Sequence, residues 1–491
     1  MAWCRLEPLG KAIYIDEGLL LKEVLFSYGV EFPCGGRGKC KACRVRVTGG
    51  VLPPVQDELR ILSSEEIEQG WRLACRSVVR DDCVLEIAQW ESPILTDNRP
   101  FHFTPREGFG VAIDLGTTTV VAQLIDLATA QVHAVNTALN GQAVHGSDIM
   151  SRVQHALTPS GAKELRDIIR CGLGAMIAGF DVPAIADVVI VGNTVMHHLF
   201  CGIDVEPLSH YPFEPVRDGL ECFQPEELGW PRGGRIRFLP CLGGFVGSDI
   251  LAGILATGLH ESVEPVALMD LGTNGEVVVG TCDRLYCAST AAGPAFEGGR
   301  IGAGMRAATG AISEVSIRDG ALISTVIGGG PARGVCGSGL VDAVACGLEA
   351  GLVQPSGRLK NGPLTLAPGI ALQQSDIREL QLAKGAIAAG LDLLAARCGL
   401  APAALKRIYL AGAFGNYVNR ASARRIGLID FPEEQVEPAG NTSLLGAKMA
   451  LFRPDDNFEW LRARVQHVML NADPEFQDAY VSRMIFPSNG L

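Results

Sequence analysis

Cys34, Cys40 and Cys43 fall within ten residues, in Cys34-Gly-Gly-Arg-Gly-Lys-Cys40-Lys-Ala-Cys43, and Cys75 follows in Arg72-Leu-Ala-Cys75-Arg. Thiolates grouped this way hold metal. Gaps of five and then two residues, with the fourth thiol distant, lie close to the spacing of plant-type [2Fe–2S] loops. The first gap is one residue longer than in that pattern. Gly35, Gly36 and Gly38 suit a loop that turns tightly and aims backbone N–H groups at sulfide. Arg37, Lys39, Lys41, Arg44 and Arg46 set positive charge around a group that four thiolates leave negative. The alternative is a zinc knuckle, which takes paired C-x2-C units; only Cys40 and Cys43 make one.

A second set of residues suits phosphate. Val111-Ala-Ile-Asp114-Leu-Gly116-Thr117-Thr118-Thr119 is an apolar strand, an Asp and a Gly-Thr turn that runs into another apolar strand. Val266-Ala-Leu-Met-Asp270-Leu-Gly272-Thr273-Asn274-Gly275-Glu276 repeats the layout about 156 residues later, which indicates a duplication at the scale of a lobe. Each turn can point amides and hydroxyls at phosphate oxygens. The Asp ending each first strand is placed to hold Mg²⁺ through water, because Mg²⁺ keeps much of its hydration. Arg407-Ile-Tyr-Leu-Ala-Gly412-Ala-Phe-Gly415-Asn-Tyr adds a strand ending in two spaced glycines. Such glycines let backbone approach an adenine or ribose; an ordinary strand-to-helix turn is the alternative. Turns at Gly192-Asn193-Thr194, Gly293-Pro294 and Cys336-Gly-Ser-Gly339 each lead into an expected apolar helix whose first amides could reach a nucleotide. Adjacent His197 and His198 would point about 100° apart on a helix, which disfavours a shared ion, and Cys336 reads as a small buried residue. No G-x-x-x-x-G-K-[ST] loop is present.

These constellations sit in a chain of 491 residues with 47% apolar and 20% charged residues, enough for about three domains. Net charge of -12 argues against a nucleic-acid partner, which needs concentrated Lys and Arg. Fifteen cysteines in a chain this long are not a secreted disulfide framework. Met-Ala-Trp-Cys-Arg-Leu-Glu is no signal peptide, and no apolar run approaches the ~18–20 residues of a membrane helix. A cytoplasmic protein without membrane contact is expected.

The elements that must position the thiols are a short helix at Leu19–Leu25, a hairpin turning at Thr48-Gly49-Gly50, a capped helix from Ser63 and a strand at Cys83–Ile87. Together they suggest a β-grasp fold over residues 1–90. Proline and polar residues mark a linker at 91–108, and the duplicated segments divide the remainder into lobes 109–264 and 265–491.

The order Asp114-Leu-Gly-Thr-Thr, Asp270-Leu-Gly-Thr-Asn-Gly-Glu276, Leu410-Ala-Gly-Ala-Phe-Gly415 resembles the phosphate-1, phosphate-2 and adenosine motifs of the two-lobed ASKHA superfamily of sugar kinases, acetate kinase, actin and heat-shock ATPases. Joined to a ferredoxin module, it resembles the reductive activators of corrinoid proteins, iron–sulfur ATPases that restore cobalt(I) from cobalt(II). Gly192-Asn-Thr-Val-Met-His-His-Leu199, Ser289-Thr-Ala-Ala-Gly-Pro-Ala-Phe-Glu-Gly298, Val335-Cys-Gly-Ser-Gly-Leu-Val-Asp342, Leu410-Ala-Gly-Ala-Phe-Gly-Asn-Tyr417 and Met484-Ile-Phe-Pro487 carry the resemblance through nearly the whole chain. It implies a [2Fe–2S] cluster on Cys34, Cys40, Cys43 and Cys75. It implies ATP or ADP with Mg²⁺ at Gly116, Thr117, Thr118, Gly272, Thr273, Asn274, Gly293, Gly412 and Gly415. Asp114 and Asp270 would serve the metal, and Glu276 or Asp270 would orient the attacking water. The implied partners are the corrinoid protein of a methyltransferase system and an external low-potential electron donor, with the activator itself a homodimer. Better-known members carry a further domain between ferredoxin and ATPase; here only the short linker is expected. Three rivals stand beside this reading: an activator of another low-potential metalloenzyme, a small-molecule kinase, and an electron-transfer module with a decayed ATPase.

Overall fold

The computed structural model describes residues 2–488 apart from 8–9, 17, 26–27, 29, 31–35, 37, 39–42, 88–99, 147 and 273. Cys34, Cys40, Thr273 and the first half of the expected linker (91–99) therefore lie outside the described residues.

β1 (Ala2–Glu7), β2 (Lys11–Ile15), β3 (Arg44–Gly50), β4 (Trp71–Leu73) and β5 (Cys83–Glu86) form a sheet in the order β2-β1-β5-β3-β4. Only β1 and β5 pair in parallel. Leu21 and Leu25 of the helix Leu21–Leu25 are buried in one core with Leu6, Ile15, Val45, Leu73 and Leu85, as a β-grasp fold requires. The helix Ser64–Glu68 begins on a capping box between Ser63 and Glu66. The expected hairpin turn at Thr48-Gly49-Gly50 is absent. β3 instead runs through these residues and stays paired with β5 across an irregularity between Val47 and Gly49. Gly50 has φ +76°, and a Cβ there would stand 2.2 Å from the Asp82 carbonyl oxygen. The glycines bend a strand beside its partner rather than reverse it.

The next two sheets share a plan. β6 (Phe109–Leu115), β7 (Thr119–Asp126) and β8 (Val132–Leu139) form a meander; β9 (Asp187–Gly192) joins β6 in parallel, followed by β10 (Glu221–Phe223) and β11 (Arg235–Phe238). The order is β10-β11-β9-β6-β7-β8. β12 (Val266–Leu271), β13 (Gly275–Gly280) and β14 (Leu285–Thr290) repeat the meander. Before the parallel strands are added, the chain makes a small sheet from β15 (Ala311–Arg318), β16 (Ala321–Val326) and β17 (Gly334–Val335), and a hairpin from β18 (Leu364–Ala367) and β19 (Ile370–Leu372). β20 (Arg407–Ala411) then joins β12 in parallel, β21 (Val436–Gly440) follows, and β22 (Val465–His467) takes the far edge, giving β21-β20-β12-β13-β14-β22. The sequence repeat is thus a repeat of topology.

Helices Ser248–Thr257 and Thr442–Leu451 cross between the two large sheets within a core that draws on both. Glycine makes the crossing close: a Cβ on Gly446 would stand 2.1 Å from the Ala252 carbonyl oxygen. Helix Thr442–Leu451, late in the sequence, therefore packs on β6 and β9 of the first large sheet. Its end is held by buried Arg237, which donates to Ala450 O at 2.9 Å and pairs with Asp187 at 3.2 Å. The stretch read as linker is docked from Phe101 onward. Phe101 and Phe103 lie 5.6 and 4.7 Å from the Phe452 ring, and Arg106 pairs with Asp187 at 3.3 Å.

Candidate nucleotide and cluster site

Asp114 and Asp270 are the penultimate residues of β6 and β12, and the crossing helices pack against both strands' sheets. Asp114 is pushed up to about 6 by burial, opposed by Asn441 Nδ2, which donates to it at 2.9 Å. Asn441 also caps helix Thr442–Leu451, so one side chain ties the helix start to the first Asp. Burial and then the charge of Asp114 push Asp270 up to about 7. Glu276, at the start of β13, is raised well above the usual carboxylate range by burial and by two neighbouring aspartates, although Ser289 Oγ donates to it at 3.1 Å.

One of those aspartates is absent from the sequence-based set. Asp249, in the first turn of helix Ser248–Thr257, is pushed up to about 8 by burial and by the charges of Asp270 and Asp114. By sequence alone it is an acidic residue that favours a helix N-terminus. The available signal was the run Gly243-Gly244-Phe-Val-Gly247-Ser-Asp. A Cβ on Gly247 would stand 2.2 Å from the Gly192 carbonyl oxygen. Ser248 Oγ accepts from Gly192 N at 3.1 Å and donates to Gly192 O at 3.2 Å. The loop thus seats Asp249 at the end of β9, beside β6.

Asp114, Asp249, Asp270 and Glu276 are half-buried, and Asp249, Asp270 and Glu276 are each raised further by the charge of at least one other carboxylate of the four. Hard oxygen donors crowded in this way fit Mg²⁺.

The first turn is braced before any ligand arrives. Gly116 N donates to Thr119 O at 3.1 Å, and a Cβ on Gly116 would stand 2.6 Å from that oxygen. Asn140 donates from Nδ2 to Gly116 O at 2.9 Å and from its backbone N to Thr118 O at 2.8 Å. Arg152, wholly buried, donates to the carbonyls of Thr117 and Gly146. Asn193 Nδ2 donates to Thr117 Oγ1 at 2.9 Å, leaving the hydroxyl proton for an external acceptor. In the second turn Gly272 N donates to Asn274 O at 3.0 Å.

The glycines expected to touch nucleotide divide. Gly293 has φ +75° and open space at its Cβ position, and it leads into the short 3-10 turn Pro294–Glu297 instead of the expected helix. Gly412 has φ +79°, and a Cβ there would stand 2.6 Å from Asp270 Oδ1, so its bareness makes room for that carboxylate. Gly415 is buried against Leu410 and Leu271. His197 and His198 are buried in helix Thr194–Cys201 and donate to Gly219 O at 3.1 Å and Thr194 O at 2.8 Å. Burial holds His197 down at about 3, a neutral packed ring. Cys336 is buried, with its thiol donating to Ile312 O at 3.4 Å.

In the first sheet Cys43 and Cys75 are each 1% exposed. Gly36 and Gly38 take φ +69° and +66°, and a Cβ on Gly36 would stand 3.7 Å from Cys75 Cβ, so the backbone lies close to that thiol. This bare, left-handed path beside a buried thiol fits a cluster loop. Glu58, fully buried, accepts from Leu73 N at 2.6 Å, Ser77 Oγ at 3.0 Å and Val55 N at 2.9 Å, and so fixes the chain on both sides of Cys75. No spacing rule marks it in the sequence. Glu58→Gln replaces one acceptor oxygen with a donor and should destabilise the domain by about 2 kcal/mol. Denaturant unfolding followed at the cluster absorbance checks this, and an unchanged midpoint would rule out the role.

Family models match three stretches of the chain. Residues 5–80 match the 2Fe-2S iron-sulfur cluster binding domain, 109–262 the RACo middle region, and 264–491 the C-terminal ASKHA domain of RACo. The family's middle region is therefore present as the β6–β11 segment. The chain is 29% identical to the corrinoid activation enzyme RamQ of Eubacterium limosum, over 98% of each chain. It is also 29% identical, over 78% of each, to the reductase of a Co(II) methylated amine-specific corrinoid protein of Methanosarcina barkeri. A solved structure of a reductive activator for a corrinoid, iron–sulfur protein superposes with TM-score 0.70 at 28% identity, over 99% of each chain. With its ferredoxin domain, RACo middle region and ASKHA domain in one chain, this protein belongs to the family of reductive activators of corrinoid proteins.

Proposed function

We propose that this protein uses ATP to drive one electron onto the cobalt(II) corrinoid of a methyltransferase-associated corrinoid protein, regenerating cobalt(I). The observation that supports the ATP-dependent part is the gathering of four raised, half-buried carboxylates beside the two duplicated Gly-Thr turns. The working units are residues 1–90 for the electron, 91–108 as connection, and 109–264 with 265–491 as the two jaws of a nucleotide clamp.

Cys34, Cys40, Cys43 and Cys75 would hold the [2Fe–2S] cluster, which supplies single electrons at low potential when bound. Asp114, Asp249 and Asp270 would hold Mg²⁺ through its water shell. Gly116, Thr117, Thr118, Gly272, Thr273 and Asn274 would hold the phosphates, with the Thr117 hydroxyl donating. Gly293, with open space at its Cβ position, would meet the nucleoside end, whereas Gly412 and Gly415 would act through Asp270 and Leu271. Glu276, raised and hydrogen-bonded to Ser289, would position the attacking water.

The energetics are compatible. A gap of ~100 mV for one electron is about 2.3 kcal/mol, within the ~1–3 kcal/mol that binding at one site typically transmits to another. Asn441 links Asp114 to a helix spanning both large sheets, so metal and nucleotide at Asp114 bear directly on how those sheets sit together.

The test is anaerobic. Reduced, cluster-loaded protein is mixed with a candidate cobalt(II) corrinoid protein, and cobalt(I) absorbance is followed with and without ATP and Mg²⁺. The proposal requires cobalt(I) to accumulate at least tenfold faster with ATP. Equal rates without nucleotide would overturn it.

A further inference from the structure

Away from the gathered carboxylates, three side chains from three elements converge on one point. His145 follows the 3-10 turn Gly141–Val144, His155 lies in helix Ile149–Ala156, and Glu164 lies in helix Pro159–Ala178. Their ligand atoms all lie within 4.8 Å of one another. His155 Nε2 is 2.9 Å from Glu164 Oε2, and His145 Nε2 is 3.5 Å from Glu164 Oε1. The two rings stand 4.3 Å apart at 32°, so the same nitrogen of each faces the carboxylate. Donor atoms around one tetrahedral ion, at ~2.0–2.2 Å from the metal, stand about 3.3 Å from each other. The spacings to Glu164 bracket that value.

The arrangement is built into the backbone. Gly161 lies where a Cβ would stand 2.1 Å from the His155 carbonyl oxygen, and Gly161 N donates to Thr158 Oγ1 at 3.1 Å. This tight corner brings the start of one helix under the end of the other and sets Glu164 beside His155. Gln142 Nε2 donates to Leu165 O at 2.9 Å, which pins the turn bearing His145 to the residue after Glu164. All three side chains stay open to solvent, at 19%, 33% and 50% exposure, so an ion has access.

We propose that His145, His155 and Glu164 form a site for a borderline divalent ion of the Zn²⁺ class, with water completing the shell. Two imidazoles and one carboxylate select such ions over Mg²⁺, which takes oxygen. A bound ion would staple the elements around Arg152, whose guanidinium holds the Gly146 and Thr117 carbonyls. It would be structural for the first phosphate turn, not a participant in chemistry.

The test uses the full, cluster-loaded chain and Zn²⁺ alone. Equilibrium dialysis counts bound zinc in wild type, H155A, E164Q and H145A/H155A. Diethylpyrocarbonate footprinting, read by mass spectrometry, reports directly on His145 and His155 and is blind to zinc held by cysteines. We expect the double variant to bind one zinc fewer than wild type and each single variant to bind it at least tenfold more weakly. We also expect zinc to protect both histidines. Unchanged cluster absorbance and zinc-free melting temperature confirm that the variants fold. Equal stoichiometry and affinity in the double variant, or histidines equally modified with and without zinc, would overturn the proposal; Glu164 would then simply accept hydrogen bonds from two imidazoles.

Discussion

Asp249→Asn should make the ligand-free protein more stable while weakening Mg²⁺·ATP binding at least tenfold. In the folded chain Asp249 sits at about 8 because burial and two neighbouring aspartates oppose its charge. An aspartate in the unfolded chain ionises near 4. Folding at pH 7 must therefore keep a proton that water would remove, at 1.36 kcal/mol per unit of displacement. Asn is neutral and nearly isosteric, so it avoids that cost, and the expected gain is of order 2–4 kcal/mol. The same change deletes one oxygen donor from the carboxylates that would receive Mg²⁺. Thermal unfolding without ligand and titration calorimetry with Mg²⁺·ATP read the two effects separately. A variant that binds nucleotide as tightly as wild type would remove Asp249 from the site. Opposite signs in the two measurements are what a functional carboxylate predicts; a structural one would lower stability.

The second large effect is on pH. Asp114, Asp270 and Asp249 are raised to about 6, 7 and 8. Between their unfolded values near 4 and these folded values the native state binds more protons than the unfolded chain. The contribution of these groups to the stability of the ligand-free protein is therefore fully present below pH 4 and is lost as pH rises through 6 to 8. Mg²⁺ reverses this, since it favours the ionised forms. Its apparent affinity in the presence of ATP should rise between about tenfold and a hundredfold per pH unit between pH 6 and 7.5. Binding at pH 7 should release about one to two protons. Calorimetry in buffers of different ionisation enthalpy counts those protons. A heat independent of buffer and an affinity flat from pH 6 to 8 would show that these carboxylates do not take the ion.

What the sequence determined alone was local chemistry. Gly116 and Gly272 each follow an Asp-Leu pair within one strand and turn, and the duplication is visible because each copy spans only two adjacent strands. Ser63 and Glu66 announce their helix because a capping box closes over three residues. The cysteine spacing is likewise a property of one short stretch. Tertiary structure decided everything that needed a distant partner. The glycines at 49–50 looked like a reversal until β5 lay beside them. Gly412 looked like a ligand contact until Asp270 was found against it. Asp249 joined Asp114 because Gly247 and Ser248 seat its helix against Gly192, and Asp270 because two glycine-bearing helices pack within backbone contact. Close approach of this kind is made by absent side chains, which leave no periodic signal in a sequence. Charge repulsion among groups over a hundred residues apart exists only once the chain has brought them together.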